Sequence, residues 1–417
     1  MLRVALSSVV GWCALWMAPG WAQPVDSTLT LQAAWQRVAQ ANRDVLLARR
    51  AADAARADVD AATVTSPPQL SINSSSIQLT HPGGGPLWQR SIDTIVRIDQ
   101  PIERGGKAEH RVRAASAGWQ AARQDVADAE RQQRVAVAQA YWDLKLAQEQ
   151  VRLAEANVQL AQRSSEAARK RLEQGDLSKL EATRLAVEAG RAANEWAQAR
   201  SQSEQASWAL KQLLAQDDAA RFVASDPWPD VLRFDPTADD AWLATRPDVQ
   251  AAQRRVEQAQ AAMDLAHAQR AADVTVGVQF EHNPPTGDRL WGVGVSIPLG
   301  VDGRQAGPEA HALAAVAQAE IQLDKVRAAA LAERATSLSQ VRAAQERVLR
   351  LEGEIVPQAR AAADAADFAR QQGAMGLQDV LDARRALHAA ELDALTAHAD
   401  LAKALAVLDL TPSTDSP

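Results

Sequence analysis

The sequence holds a single cysteine in 417 residues, and that residue, Cys13, lies close to the N-terminus. Beyond it, disulfides, thiol catalysis and cysteine-based metal sites are excluded. Aromatic residues make up only 4% of the chain, with one tyrosine, which is little for a globular enzyme core. No later segment has eighteen consecutive apolar residues, so no helical membrane span is expected. Blocks of Lys and Arg are also missing and the net charge is −7, which excludes nucleic acid as the expected partner.

Alanine, glutamine, arginine and glutamate dominate what remains, a composition that favours long helices with closely approaching backbones. Residues 1–22, with Arg3 followed by an apolar run to Met17 and Gly20-Trp21-Ala22, read as a secretory signal peptide cleaved after Ala22. A membrane anchor is the alternative, but the run is short for a span. Trp12 and the continuing apolar run argue against lipid attachment at Cys13. An exported chain without helical spans is either soluble or inserted as a β-barrel.

The chain repeats itself. Gln100-Pro101-Ile102-Glu103-Arg104-Gly105-Gly106-Lys107 has its counterpart in Ile297-Pro298-Leu299-Gly300-Val301-Asp302-Gly303-Arg304, with Pro101 on Pro298 and Gly106 on Gly303. Gln174-Gly175 falls on Gln372-Gly373, and Arg43-Asp44-Val45 corresponds to Arg246-Pro247-Asp248-Val249. Three landmarks in order indicate a duplication of units of about 200 residues. Repeat 1 covers 23–225: a helix over 31–65, a β-hairpin over 69–100, a long helix over 106–174 and a helix over 177–213. Repeat 2 covers 226–411: a connector over 226–240, a helix over 239–271, a β-hairpin over 273–298, a long helix over 304–372 and a helix over 377–408. Residues 412–417 read as a disordered tail.

The hairpins alternate with period 2. Val274, Val276, Val278 and Phe280 oppose Thr275, Gly277, Gln279 and Glu281. On the return strand Trp291, Val293, Val295 and Ile297 oppose Gly292, Gly294 and Ser296. Ile92, Val96 and Ile98 likewise oppose Asp93, Arg97 and Asp99, whereas 69–80 is out of phase and implies a bulge. Strands of about ten residues with one apolar face fit an outer-membrane barrel. An ordinary half-buried sheet is the alternative. Four strands cannot close a barrel, and lipid does not tolerate open edges, so a barrel requires several chains; three give twelve strands. Trp88 and Trp291, near the turns, suit an aromatic girdle or a core.

In the long helix Leu144, Val151 and Val158 recur every seven residues, as do Ala147, Ala154, Ala161 and Ala168. Such a repeat imposes left-handed supercoiling, and the helix spans roughly 100 Å. Pro357 is expected to bend the second copy. Two shorter helices end to end match one long helix, as in a cylinder of coiled coils. A solid rod, the other geometry, calls for larger seam residues and leaves the hairpins unused.

On these features the chain resembles the TolC-type trimeric outer-membrane efflux channels over essentially its whole mature length. The plan of helix, hairpin, helix and helix is duplicated. The motifs are Leu29-Thr30-Leu31, Asn42-Arg43-Asp44-Val45, Ser66-Pro67-Pro68-Gln69-Leu70, and Gln372-Gly373 followed by Gln378-Asp379-Val380-Leu381-Asp382-Ala383-Arg384. The run 100–107 is most similar to the branch serving heavy-metal cation exporters. The resemblance implies a mainly α fold with a small β part: a homotrimer whose four strands per chain make a twelve-stranded transmembrane barrel above a coiled-coil α-barrel. It implies a passive duct, no enzyme, no cofactor, and contact with outer-membrane lipid. A periplasmic adaptor and a proton-driven inner-membrane transporter would be partners, and the connector 226–240 would lie in an equatorial belt. The cargo would be heavy-metal cations; organic solutes, drugs or polypeptides, and a secreted coiled-coil scaffold, are the alternatives.

The turns after Gly175 and Gly373 would be the periplasmic tips. Glu181 and Asp379 each stand six residues after their glycine, and Asp382 follows one helical turn later. In the family the second-tip aspartates ring the entrance, which carries over to Asp379 and Asp382; such rings favour cations. Solvated helix-end charges are the plainer reading. Some members latch the tip with an arginine two residues after the second glycine; here that residue is Met375. Arg184, at the position equivalent to Asp382, is expected to pair across the tip instead. Gly175, Leu177, Ser178, Gly373, Met375 and Leu377 would form the adaptor-docking surface. Gly106 and Gly303, with Pro101 and Pro298, read as strand-to-helix corners. The seven histidines include no i,i+3 or i,i+4 pair, so no metal site is expected.

Overall fold

The computed structural model describes residues 26–75, 92–216, 221–231, 242–283, 288–299 and 305–410. The signal peptide, Trp88, Gly303, the tail 412–417 and most of the connector lie outside these. In chain order the elements are β1 (Asp26–Leu29), α1 (Leu31–Ala41), α2 (Arg43–Thr63), β2 (Gln69–Ser75), β3 (Asp93–Ile102), α3 (Lys107–Glu173), α4 (Lys179–Leu213) and β4 (Arg221–Ala224). Then come α5 (Trp242–Thr245), α6 (Pro247–Ala268), β5 (Val274–Asn283), β6 (Asp288–Ser296), α7 (Ala306–Arg350), a π-helical turn (Leu351–Ile355), α8 (Val356–Gln371) and α9 (Leu377–Asp409).

The alternating residues form one four-stranded antiparallel sheet in the order β2-β3-β5-β6. Its register aligns Leu70, Ile98, Val278 and Val293 in one row and Ile72, Val96, Phe280 and Trp291 in another. These rows share a face that none of the described residues covers: Trp291 is 76% exposed and Val293 88%. Phe280 and Trp291 rest against each other with ring centroids 5.1 Å apart. The opposite face carries Ser71, Arg97, Gln279 and Gly292 in one row and Gln69, Asp99, Gly277 and Gly294 in the next.

Below the sheet the helices keep the same order. α2 packs on α3, α3 on α6 and α6 on α7. Each strand continues into the helix beneath it, so β2 with α2 and β6 with α7 form the two lateral margins. At the junction Gly105 and Gly106 both take left-handed backbone, φ 74°, and turn β3 into α3. A Cβ on Gly105 would lie 2.8 Å from the Ala271 Cβ, so only glycine allows the corner to close against the end of α6. Asp273 fastens it, accepting from Lys107 at 2.8 Å and from the Arg104 amide at 3.0 Å. Pro101 lies within β3, opposite Thr275, and Pro298 follows β6, exposed.

The alanine seam of α3 is inside: Leu144, Ala147, Ala154, Val158 and Ala168 are buried. The structure corrects two expectations. The helix expected over 31–65 is two, because Asn42 takes extended backbone (ψ 132°) and its side chain accepts from the Asp44 and Val45 amides at 2.9 and 3.2 Å. The helix expected over 239–271 is likewise divided, at Arg246, since Pro247 disfavours helical backbone before it. At Pro357, where a bend is expected, the second long helix is continuous in backbone but changes its hydrogen-bond pattern. A π-helical turn precedes the proline, in which the Val356 amide donates to the Leu351 carbonyl five residues back, absorbing the missing proline donor.

The break at Asn42 has a use. Its amide nitrogen donates to the Leu213 carbonyl at 2.9 Å, at the end of α4, and to Gln133 of α3 at 3.1 Å. One buried asparagine thus caps the start of α2 and the end of α4, setting the two half-length helices end to end along α3. Around this junction lies a core of Leu29, Val38, Val137, Tyr141, Leu144, Leu210 and Phe222. Four-residue strands β1 and β4, absent from the expectations, pair in parallel there. The only tyrosine, Tyr141, donates to the Leu29 carbonyl and accepts from the Asp226 amide, both at 3.0 Å, and burial raises its pKa. The adjoining connector is held by stacking, Trp228 lying between Trp142 (5.6 Å) and His398 (5.8 Å).

Asn42→Asp keeps the N-cap but removes the donor to Leu213, whereas Asn42→Ala removes both. Asn42→Ala should therefore destabilise by about 2–4 kcal/mol and Asn42→Asp by about 1–2 kcal/mol, read as unfolding midpoints in detergent.

Candidate functional site

The two tips are built alike. α3 ends with Gly175 in left-handed backbone (φ 81°), its amide bonded to the Leu172 carbonyl and the Asp176 amide to Arg171. α8 ends with Gly373 (φ 74°), its amide bonded to Arg370 and the Ala374 amide to Ala369. Both are Schellman closures, in which glycine pays no Cβ penalty and the last carbonyls find donors. Restart differs between the tips. Ser178 caps α4, accepting from the Glu181 amide at 3.2 Å and donating to its carboxylate at 3.0 Å. Gly376 starts α9 without a side-chain cap, which leaves Asp379 exposed in the first turn.

Asp382 is exposed as well and is reached by Arg385 at 3.1 Å. Gly175, Ser178, Gly373 and Met375 are exposed, Leu177 is half-buried, and Leu377 is buried at 7%, so its side chain offers a partner little surface. Arg184 is exposed and makes no ion pair among the described residues. The ties across the tip come from elsewhere. Glu181, Glu188 and Glu195 follow one another at seven-residue spacing on α4. They meet Arg370 at 3.5 Å, Arg385 at 2.6 Å and His388 at 2.6 Å, respectively. Arg384 in turn binds Asp367 of α8 at 2.7 Å. Sequence reasoning found Glu181 but missed this seam; its signal was the heptad spacing of the glutamates, the same period already visible in the alanines of α3.

Two of these carboxyls are perturbed. Glu181 is held below its ordinary value first by the Ser178 hydroxyl and then by Arg370. Glu188 is lowered first by the hydrogen bond from Arg385, which outweighs its partial burial. Among the described residues no three metal-ligating side chains converge. No described helix is long and apolar enough to cross a membrane. What the described side chains supply at the tips is electrostatic: paired and unpaired carboxylates beside arginines.

An uncovered apolar sheet face above a row of very long helices with ionic tips defines a channel-forming protein of the outer membrane. The chain belongs to the outer membrane efflux protein family, whose model matches residues 34–216 and 240–411. Its place is the outer membrane of a Gram-negative bacterium, extending into the periplasm, and it is an efflux duct, not an enzyme. The cobalt-zinc-cadmium resistance protein CzcC of Cupriavidus metallidurans is 25% identical over 381 residues, covering 90% of this chain and 88% of its own. Among solved structures, CusC matches with a TM-score of 0.78 at 19% identity, over 96% of both chains. The outer-membrane channel OprN matches at 0.76 and 23% identity over 91% and 89%. The open state of MtrE from Neisseria gonorrhoeae matches at 0.76 and 20% identity over 91% and 88%.

Glu188 titrates below its ordinary value of 4.5, so its tie to Arg385 contributes fully above that pH and is lost as pH falls through the lowered value. A pair this exposed is worth about 0.2–1 kcal/mol. Spin labels on cysteines engineered into α4 and α9 should therefore show a broader distance distribution in acid. Glu188→Gln should be broad already at neutral pH, and identical distributions throughout would contradict the tie.

Proposed function

We propose that three copies of this chain close around one axis into an exit duct for a tripartite efflux pump. The observation that carries this reading is the coincidence of margins. The open edges of the sheet, β2 and β6, stand over the open flanks of the helical row, α2 and α7. One rotation therefore brings β6 beside a neighbouring β2 and α7 beside a neighbouring α2. Three four-stranded sheets make a twelve-stranded barrel, an even number within the range of outer-membrane barrels. Its apolar rows face lipid, with Trp291 at the interface, where aromatic rings are favoured.

The tips take a periplasmic adaptor through Gly175, Leu177, Ser178, Gly373 and Met375, with Leu377 shaping the surface from beneath. Energy comes from a proton-driven inner-membrane transporter. The cargo is a heavy-metal cation. The named resistance to cobalt, zinc and cadmium of the relative CzcC supports this, as do the acidic residues at the second tip. Threefold repetition of Asp379 and Asp382 rings the entrance with carboxylates. Glu181, Glu188 and their arginines hold the tip closed, while Arg184 remains free to meet the adaptor.

Cells lacking the protein should lose tolerance to divalent transition metals and keep tolerance to organic drugs; the reverse pattern would contradict the cargo. In planar bilayers Asp379→Ala with Asp382→Ala should weaken block by multivalent cations on the order of tenfold. Unchanged block would remove these residues from the entrance.

A further inference from the structure

Arg97 and Asp99 lie two residues apart on β3 and therefore on one face, the polar one. The Arg97 Nε is 2.8 Å from both carboxylate oxygens of Asp99. None of the described residues covers this face, yet the two side chains are only 32% and 22% exposed. The reason is that the pair lies flat across the neighbouring strands, on glycine. A Cβ at Gly277 of β5 would come within 2.1 Å of the Asp99 Oδ1 and 3.0 Å of an Arg97 terminal nitrogen. One at Gly294 of β6 would come within 3.4 Å of that same nitrogen.

Neither glycine has positive φ, so the backbone does not require them. A glycine inside a strand costs about 0.5–1 kcal/mol and marks a place where something approaches closely. What approaches here is an ion pair. The same row otherwise holds Gln69, and the row beside it Ser71 and Gln279, so Arg97 and Asp99 are the charges of this level.

We propose that Arg97 and Asp99, laid flat on a glycine-cleared wall, form a charge-compensated ring that sets the ion selectivity of the barrel lumen. The inference rests on the three-chain barrel proposed above, in which the polar face lines the pore. Three copies place three pairs at one height. Paired, they carry no net charge and leave the bore wide. Unpaired, either partner leaves three like charges in a water-filled channel, where fixed charges tune selectivity.

The test is the zero-current potential of the channel in planar bilayers under a potassium chloride gradient. Asp379→Ala and Asp382→Ala are present throughout, so that the entrance does not mask the barrel. Arg97→Gln should raise the cation-to-anion permeability ratio about twofold, and Asp99→Asn should lower it by a similar factor. The double variant Arg97→Gln/Asp99→Asn should return to the parental ratio. The charge swap Arg97→Asp/Asp99→Arg, which preserves neutrality, should match the parent as well and serves if a single variant fails to assemble. Single variants that leave the ratio unchanged, or shift it in one common direction, overturn the proposal. So does a swap that departs from the parental ratio. A parental channel that carries no current overturns the assembly together with this inference, and the missing current tells that failure from the others.

Discussion

A strand at the edge of a sheet exposes amides and carbonyls that lipid cannot satisfy, at several kcal/mol for each group. This chain has two such edges, β2 and β6, beside a sheet face apolar enough to require lipid or an equivalent surface. Neither edge can pair with the other across four strands. In the proposed duct the constraint is met by other copies of the same chain, and the rest of the architecture serves that closure. Helices in the same lateral order as the strands extend the closure downward. The corner at Gly105 and Gly106, fastened by Asp273, keeps strand and helix in line.

A long tube needs continuity along its length as well as closure around it. α3 supplies it with 67 uninterrupted residues, and its neighbours supply it in halves joined by a cap. Asn42 makes that joint by serving two helix ends with one side chain. The second repeat reaches a similar result differently: Arg246, buried and bound to Asp248 at 2.9 Å and Glu333 at 2.5 Å, stands where its helix begins. At the far end the packing changes character. Core contacts give way to the ladder of Glu181, Glu188 and Glu195, whose partners lie on the other repeat. Ionic ties of this exposure are weak one by one, which suits the proposed entrance.

Much of this was legible in the sequence. The period-2 rows of β5 and β6 were readable because, over 274–281 and 291–296, apolar residues alternate with polar residues or glycine. The seam of α3 was readable because a packed helix must repeat its small residues every seven positions. The tip glycines stood out because left-handed closures need them. Asn42 did not announce a break, since the apolar periodicity continues past it and only the tertiary partner Leu213 makes the cap worthwhile. β1 and β4 are too short to carry a pattern. The partners of the glutamate ladder lie nearly a whole repeat away, and no local signal reports them, so Arg184 drew the role that Arg370 and Arg385 fill.

The account stands on closure by copies, and the stoichiometry of the protein in a membrane tests that most directly. Mass measurement of the protein in native-lipid nanodiscs, with an image down its long axis, should give three chains around an open centre. A stable monomer, or three chains packed solid through the middle, would contradict it.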